Sequence, residues 1–455
     1  MSTIIAIAVL GIICLIAEIF NLRKAIVPVT VIGLLAILGI TVAEFNVTES
    51  YYNNMIVVNR FTVTFSSLFI LLTVFLVTLS HNFYKDRPSK LSDFVAIKIF
   101  LLLGAVAMVS FGNLAMFFLG IEILSISLYI LAGSNPVSLK SNEAGMKYFL
   151  MGSFASGIIL FGIALIYGAV ASFDMNMIYE ASNSATTVDW FYIGVCMITV
   201  GMLFKIATVP FHFWAPDVYE GAPSLTTATM STLAKVVAMA TFFKLNLAMN
   251  GNMNFAYETV IVIISIASMT VGNIMALRQN NIKRMLAFSG ISHAGFMLMA
   301  LLNLTSATGS LFYYTVAYTL AGIAAFAVIL YVCNGKDNEN IDNFNGLGKT
   351  KPLMAMILSA SLLSMAGIPI FSGFFAKFFI LNQTLQAGYL ILVIAGIINS
   401  IISVYYYFRV ISAMYTKEAS EEAKPVPFEF YIVAVVAIGL NIPIGLFPSA
   451  LMDLL

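Results

Sequence analysis

Four ionisable residues stand in stretches that are otherwise apolar. Glu122 lies in L-A-M-F-F-L-G-I-E-I-L-S, Lys205 in G-M-L-F-K-I-A-T-V-P, Lys235 in S-T-L-A-K-V-V-A and Lys377 in S-G-F-F-A-K-F-F. A charge at the centre of a bilayer costs roughly 2.5–3.5 kcal/mol on insertion scales, so such residues face a bundle interior or a wet cavity and pair with one another. One carboxylate and three lysines have the chemistry of a proton relay. Desolvation favours the neutral amine and a nearby carboxylate favours the ammonium, so a lysine exchanges a proton as its partner moves. His293, in F-S-G-I-S-H-A-G-F-M, and His212, two residues after Pro210, belong to the same group of candidates. Each has a hydroxyl nearby, Ser289 and Thr208, and a hydrated histidine passes protons near neutral pH. The alternative for each is a packed histidine. Lys147 follows Glu143 by four residues, so a helical ion pair is its simplest account and a relay entrance the alternative. Lys98, Lys244 and Arg409 lie nearer span ends and read as snorkelling side chains, and His81 as solvated.

These residues need helices that cross a membrane. Of the 455 residues, 61% are hydrophobic and 9% charged, against about one quarter charged in a soluble domain. A net charge of +1 leaves no basic field for nucleic acid. Runs of about 20 apolar residues fall near 3–20, 25–43, 61–80, 92–111, 114–133, 144–170, 190–210, 225–248, 257–277, 283–302, 309–333, 351–385, 388–415 and 429–450, which is fourteen spans. The first has no basic region before it and no small-residue cleavage site, so it reads as a retained span. The seventh runs through Pro210 and the twelfth through Gly367-Ile368-Pro369, so both are expected to be broken helices.

The loops alternate in charge. Arg23, Lys24, Lys85, Arg87, Lys90, Lys140, Arg278, Lys283, Arg284, Lys336, Lys349, Lys351, Lys417 and Lys424 fall on one side. Glu44, Glu49, Asp174, Glu180, Asp189 and Glu258 fall on the other, with Arg60 the basic exception. The basic side is cytoplasmic by the positive-inside rule, which puts both termini outside. Two broken spans, each carrying a lysine, suggest two inverted five-helix repeats. The expected divisions are 1–90 (three helices), 91–250 (spans four to eight), 251–415 (spans nine to thirteen) and 416–455 (a last helix). The small residues Gly152, Ser153, Ser156, Gly157 and Gly162 mark close packing of span six. Cys14, Cys196 and Cys333 lie far apart and read as packed thiols. No phosphate loop, metal-ligand cluster or Ser/His/Asp arrangement is apparent, so no catalytic residue and no bound metal or cofactor is expected in this chain.

Three segments carry a family resemblance: V-P-F-H-F-W-A-P-D-V-Y-E-G-A-P (209–223), N-I-K-R-M-L-A-F-S-G-I-S-H-A-G (281–295) and A-G-I-P-I-F-S-G-F-F-A-K (366–377). They resemble the antiporter-like membrane subunits of respiratory complex I. The D-V-Y-E-G-A-P ending is more similar to the N type than to the L or M types. An L type would be expected to add a long lateral helix, and an M type to place a glutamate where Lys377 stands. The resemblance implies a proton-translocating part of a bacterial inner-membrane NADH–quinone oxidoreductase, a respiratory-chain translocase. Glu122, Lys205, Lys235 and Lys377 match the family's relay positions, and His293 its histidine. NADH, FMN, iron–sulphur clusters and quinone would belong to other subunits of the membrane and peripheral arms. A subunit of a multi-subunit Na+/H+ antiporter or membrane-bound hydrogenase is the alternative, since these share the architecture.

Overall fold

The computed structural model describes residues 1–85, 88–184, 188–249, 255–336, 338–419 and 425–455. Arg87, Lys424 and the expected division at 250/251 lie outside them. The chain is almost entirely helical. It opens with α1 (Ser2–Ile19), α2 (Arg23–Ala43), a hairpin of β1 (Glu49–Tyr51) and β2 (Ile56–Val58), α3 (Arg60–Phe83) and α4 (Pro88–Ser110). Next come α5 (Leu114–Ala132), α6 (Leu139–Val170), the short α7 (Met175–Ser182), α8 (Asp189–Lys205) and α9 (Trp214–Gly221). α10 (Ser224–Thr229), a π turn (Met230–Ala234) and α11 (Lys235–Met249) form one span. The rest is α12 (Phe255–Ala276), α13 (Ile282–Leu298), α14 (Thr308–Val332), α15 (Leu347–Thr350), α16 (Pro352–Ala366), α17 (Ser372–Gln386), α18 (Leu390–Thr416), α19 (Phe428–Leu446) and α20 (Ser449–Met452).

Among the described residues, twelve helices are long and apolar enough to cross a membrane unaided. The expected seventh and twelfth spans are instead the pairs α8/α9 and α16/α17, each broken by a short linker. Helix starts follow local capping chemistry. The Asn59 side chain accepts from Thr62 N at 2.9 Å and Asn59 N donates in return to the Thr62 hydroxyl, closing a capping box. Asn113 and Asn281 cap α5 and α13 in the same way, from one side only. α13 and α14 are almost wholly enclosed, whereas α1, α2, α6, α12, α18 and α19 each keep an apolar face outward. That outward surface suits lipid, because every helix already satisfies its own backbone.

The two breaks use one backbone device. α8 ends at Lys205 and α16 at Ala366, both before the proline of the linker. The left-handed residues Ala207 (φ 58°) and Gly367 (φ 87°) turn the chain out of the helix. The next amide donates five residues back, Thr208 N to Leu203 O at 3.1 Å and Ile368 N to Leu363 O at 3.0 Å. The prolines thus sit in linkers that have already left the helix.

Candidate functional site

Lys205 occupies the last turn of α8, where the negative end of the helix favours a cation. Its ammonium donates to Ser125 Oγ at 2.7 Å, and to Tyr129 OH and Ser156 Oγ at 3.4 Å. These hydroxyls come from α5 and α6. Gly152 makes room for them: a Cβ there would meet Tyr129 OH at 2.1 Å. Of the small residues of α6, Gly152, Ser156 and Gly162 face inward, and Ser153 and Gly157 face out. Glu122 lies one turn before Ser125, and its Oε1 is buried without a hydrogen-bond partner. Among the described residues no ion pair within 4.0 Å joins Glu122 to Lys205, so the carboxylate and the lysine flank Ser125 rather than touch.

Lys235 follows the π turn, a local widening common at functional sites. It is 3% exposed and its Nζ has no hydrogen-bond partner. It lies against Gly290 of α13, where a Cβ would stand 2.7 Å from Lys235 Nζ and 3.2 Å from Tyr318 OH. His293, one turn on, is 5% exposed. Its Nδ1 meets Tyr314 OH at 2.7 Å and its Nε2 meets Tyr407 OH at 3.2 Å. Lys377 leaves α17 and folds back over the second break, donating to Ala366 O at 2.8 Å. That carbonyl is one of the last of α16, left open by the end of the helix. Lys377 Nζ also lies 5.2 Å from the Phe296 ring centre.

The remaining candidates lie elsewhere. His212 is buried on the linker after α8, its Nδ1 without a partner. Among the described residues no hydrogen bond joins it to Lys205, Lys235 or His293. Lys147 is half-exposed and pairs with Glu143 at 2.7 Å, as the spacing predicts, and with Asp217 of α9 at 3.1 Å. Arg284 of α13 bonds Asp217 at 2.7 Å and Glu220 at 3.1 Å. These charges line a polar cleft of about 190 Å³ tying α6, α9 and α13 together.

Several side chains depart from the sequence expectations. Lys98 does not snorkel: it is 2% exposed, donates to Ser80 Oγ of α3 at 2.6 Å and lies 5.3 Å from the Tyr84 ring centre. Lys244 bonds Val109 O at 2.9 Å, and Arg409 bonds the carbonyls of Leu277 and Gln279 after α12. Lys283, expected in a loop, is buried between Glu339 at 2.9 Å and Ala222 O at 2.9 Å. The polar connector around Glu339 is therefore a clamp: Ile282 N donates to Glu339 O and Ile341 N to Asn280 O. The residues missed in the sequence are Tyr314, Tyr318 and Tyr407. Their only signal was aromatic hydroxyls inside apolar runs. Among the described residues no group of three or more His, Cys, Asp or Glu is placed to hold a metal ion.

An all-helical membrane bundle with two broken helices and a series of buried lysines defines an antiporter-like membrane subunit. Residues 112–403 match the family described as NADH:quinone oxidoreductase/Mrp antiporter, transmembrane. The chain is 66% identical to NADH-quinone oxidoreductase subunit N of Flavobacterium johnsoniae, with all of both chains aligned. It is 43% identical to the subunit of that name from Cytophaga hutchinsonii, over 100% of this chain and 99% of the other. Among solved structures it matches a chain of respiratory complex I from Thermus thermophilus with bound aureothin: TM-score 0.87, 27% identity, 99% and 98% coverage. A chain of the Mrp complex from Dietzia shares the fold, with TM-score 0.85 at 19% identity, covering 99% and 94%. The chain belongs to the NADH-quinone oxidoreductase subunit N family.

Proposed function

We infer that this chain is a proton-translocating membrane subunit of an NADH-quinone oxidoreductase, carrying protons while the redox chemistry proceeds in other subunits. The observation that carries this reading is a series of ionisable groups inside the bundle of a subunit N relative with two broken helices: half-buried Lys205 and buried Lys235, His293 and Lys377. In this reading Glu122 moves toward or away from Lys205 across Ser125 and changes its hold on a proton. Lys235, His293 and Lys377 then pass protons toward the second break. His212 and Lys147 serve the first break, where Lys147 sits at a polar cleft open to solvent. NADH, FMN, iron–sulphur clusters and quinone belong to partner subunits.

The chain is read as resident in a bacterial inner membrane, with fourteen crossings once each broken pair counts as one and both termini outside. Residues 91–250 and 251–415 form the two inverted repeats, between a segment 1–90 and a helix in 416–455. In support, each break falls in the fourth span of its unit. The test uses the assembled complex in inside-out vesicles, with Lys205→Ala and Glu122→Ala. Both variants are expected to lose NADH-driven proton uptake. If uptake and quinone reduction both survive, the relay is wrong. Co-purification of an NADH-oxidising arm separates this reading from a sodium/proton antiporter subunit.

A further inference from the structure

Two cavities follow one another along a single face of α6. The first is the polar cleft of about 190 Å³, to which α6 gives Lys140, Glu143 and Lys147. The second is an apolar groove of about 430 Å³, to which α6 gives Leu150, Phe154 and Ile158. Steps of three and four residues keep these six side chains on one helix face. The chain after α8 repeats the order: Phe211 and Phe213 of the linker line the groove, and Asp217 and Glu220 of α9 line the cleft. Phe154 and Phe213 are both exposed. The groove therefore opens outward, on the side where α6 keeps an apolar face.

The cleft is balanced in charge, with Lys140, Lys147 and Arg284 set against Glu143, Asp217 and Glu220. Its inner members are committed to one another: Asp217 takes Lys147 and Arg284, and Glu220 takes Arg284 at 3.1 Å. Lys140 is held most loosely, 3.7 Å from Glu220 and largely exposed. Glu143 meets Lys147 through Oε1 at 2.7 Å and is exposed as well. A balanced cleft has no excess field for an anion or a cation alone, but it complements a molecule that carries both charges. The cleft occupies the first turns of α6, and from Leu150 to Ile158 the groove runs on for about 12 Å along the helix axis. A charge-balanced head above an apolar stem is the polarity profile of a zwitterionic phospholipid.

We propose that this face of α6 binds one phospholipid with a primary-amine headgroup, a phosphatidylethanolamine, from the leaflet on the basic side of the bundle. Its phosphate meets Lys140, its ammonium meets Glu143, and one acyl chain lies in the groove over Leu150, Phe154 and Phe213. An ammonium brings three N–H donors to a carboxylate, whereas a trimethylated choline brings none. Phe204 and Pro210 line the same groove, so the acyl chain covers the outer side of the first break. There it fills space between α6 and the linker that the protein's own side chains leave open. The site stands independently of the proton path, in which Lys140, Glu143 and Ile158 take no part.

The test uses the whole complex in phosphatidylcholine vesicles that contain a phosphatidylethanolamine with a photoreactive diazirine on one acyl chain. After irradiation, labelled peptides of this chain are identified by mass spectrometry, with artificial-acceptor activity as the measure of assembly. Label is expected within 150–158 and 211–213. Unlabelled phosphatidylethanolamine should compete it away, and phosphatidylglycerol should not. Lys140→Ala combined with Glu143→Ala should lower this label about fivefold, equivalent to about 1 kcal/mol of lost headgroup contact. Ile158→Trp, which fills the groove, should remove the label and serves should the charge variant not assemble. Equal competition by phosphatidylglycerol, or label that the charge variant leaves unchanged, overturns the headgroup site. Absence of label from both segments while other subunits are labelled shows the groove covered by a neighbouring subunit, and overturns the proposal.

Discussion

The two broken helices solve one problem with different side chains, and the difference assigns different duties to their lysines. At the first break the freed carbonyls of α8 are taken by the linker: Trp214 Nε1 donates to Phe204 O at 3.1 Å, and the Thr208 hydroxyl to Leu203 O at 3.1 Å. Lys205 is left to bond hydroxyls of α5 and α6, near Glu122. At the second break no such donor stands over Ala366 O, and Lys377 fills that place. α19 supports the linker, through Asn441 beside Ser364 and Gly445 packed on Ile370 O. Lys205 can therefore change partners without disturbing its helix end. Lys377 cannot leave without exposing a buried carbonyl, whose desolvation costs about 1–3 kcal/mol. Proton release at the second break is thus tied to the structure of the break.

The sharpest test of this contrast pairs Lys377→Ala with Lys205→Ala. Both are expected to lower coupled proton uptake by roughly tenfold or more. Only Lys377→Ala should also lower thermal stability, by about 1–3 kcal/mol. Equal melting temperatures for the two variants would remove the distinction. Next in size is Gly373→Ala, whose Cβ would stand 1.8 Å from Ser364 O, a backbone atom that cannot yield. It should cost about 1–3 kcal/mol as overpacking and lower the yield of assembled complex. Gly201→Ala, beside the first break, meets the Ile159 side chain at 2.2 Å and backbone only at 3.2 Å, and should assemble better than Gly373→Ala. Trp214→Phe leaves Phe204 O without its donor and should destabilise the first break by about 1 kcal/mol, seen in melting of the purified complex.

The smallest effect is at the polar cleft. Asp217 holds Lys147 of α6 and Arg284 of α13 from α9. Its side chain is 40% exposed, so each pair is worth about 0–1 kcal/mol. Asp217→Asn should therefore loosen α9 and lower the melting temperature of the purified complex only slightly. A melting temperature unchanged by Asp217→Asn would show the ion cluster to be idle. The described residues around the second break hold no comparable surface cluster.

Much of this was legible in the residues. Apolar runs located the spans to within a few residues, and Pro210 and Pro369 marked the two that break. The depth of Lys205, Lys235 and Lys377 within those runs placed them inside the bundle. Depth along a helix does not report which way a side chain faces, so Lys98 read as a snorkelling residue although it is buried against Ser80 of α3. Nor does loop position report burial: Lys283 opens α13 and is covered by the Glu339 connector, a contact between segments far apart in sequence. Glu122 and Lys205 both stood out as charges inside apolar runs, but the hydroxyl of Ser125, from the same helix as Glu122, that takes the Lys205 ammonium did not. Tyr314 and Tyr407 stood among aromatic residues typical of membrane helices, and only the meeting of α13, α14 and α18 sets their hydroxyls against His293.

The π turn at Met230–Ala234 has a consequence for helical phase. Each residue of an α-helix turns the side-chain direction by about 100°. A π turn accommodates one extra residue in the ladder, so α10 and α11 are out of register with each other by that amount. A wheel drawn through Ser224–Met249 as one helix would aim Lys235 about a quarter-turn or more away from Gly290. Deleting one residue within Met230–Ala234 would restore a regular spiral and swing Ser224–Thr229 around the axis while Lys235 kept its bearing. The extra residue lets one membrane span present two independently oriented faces, one to α9 and α14 and the other to the lysine's neighbours.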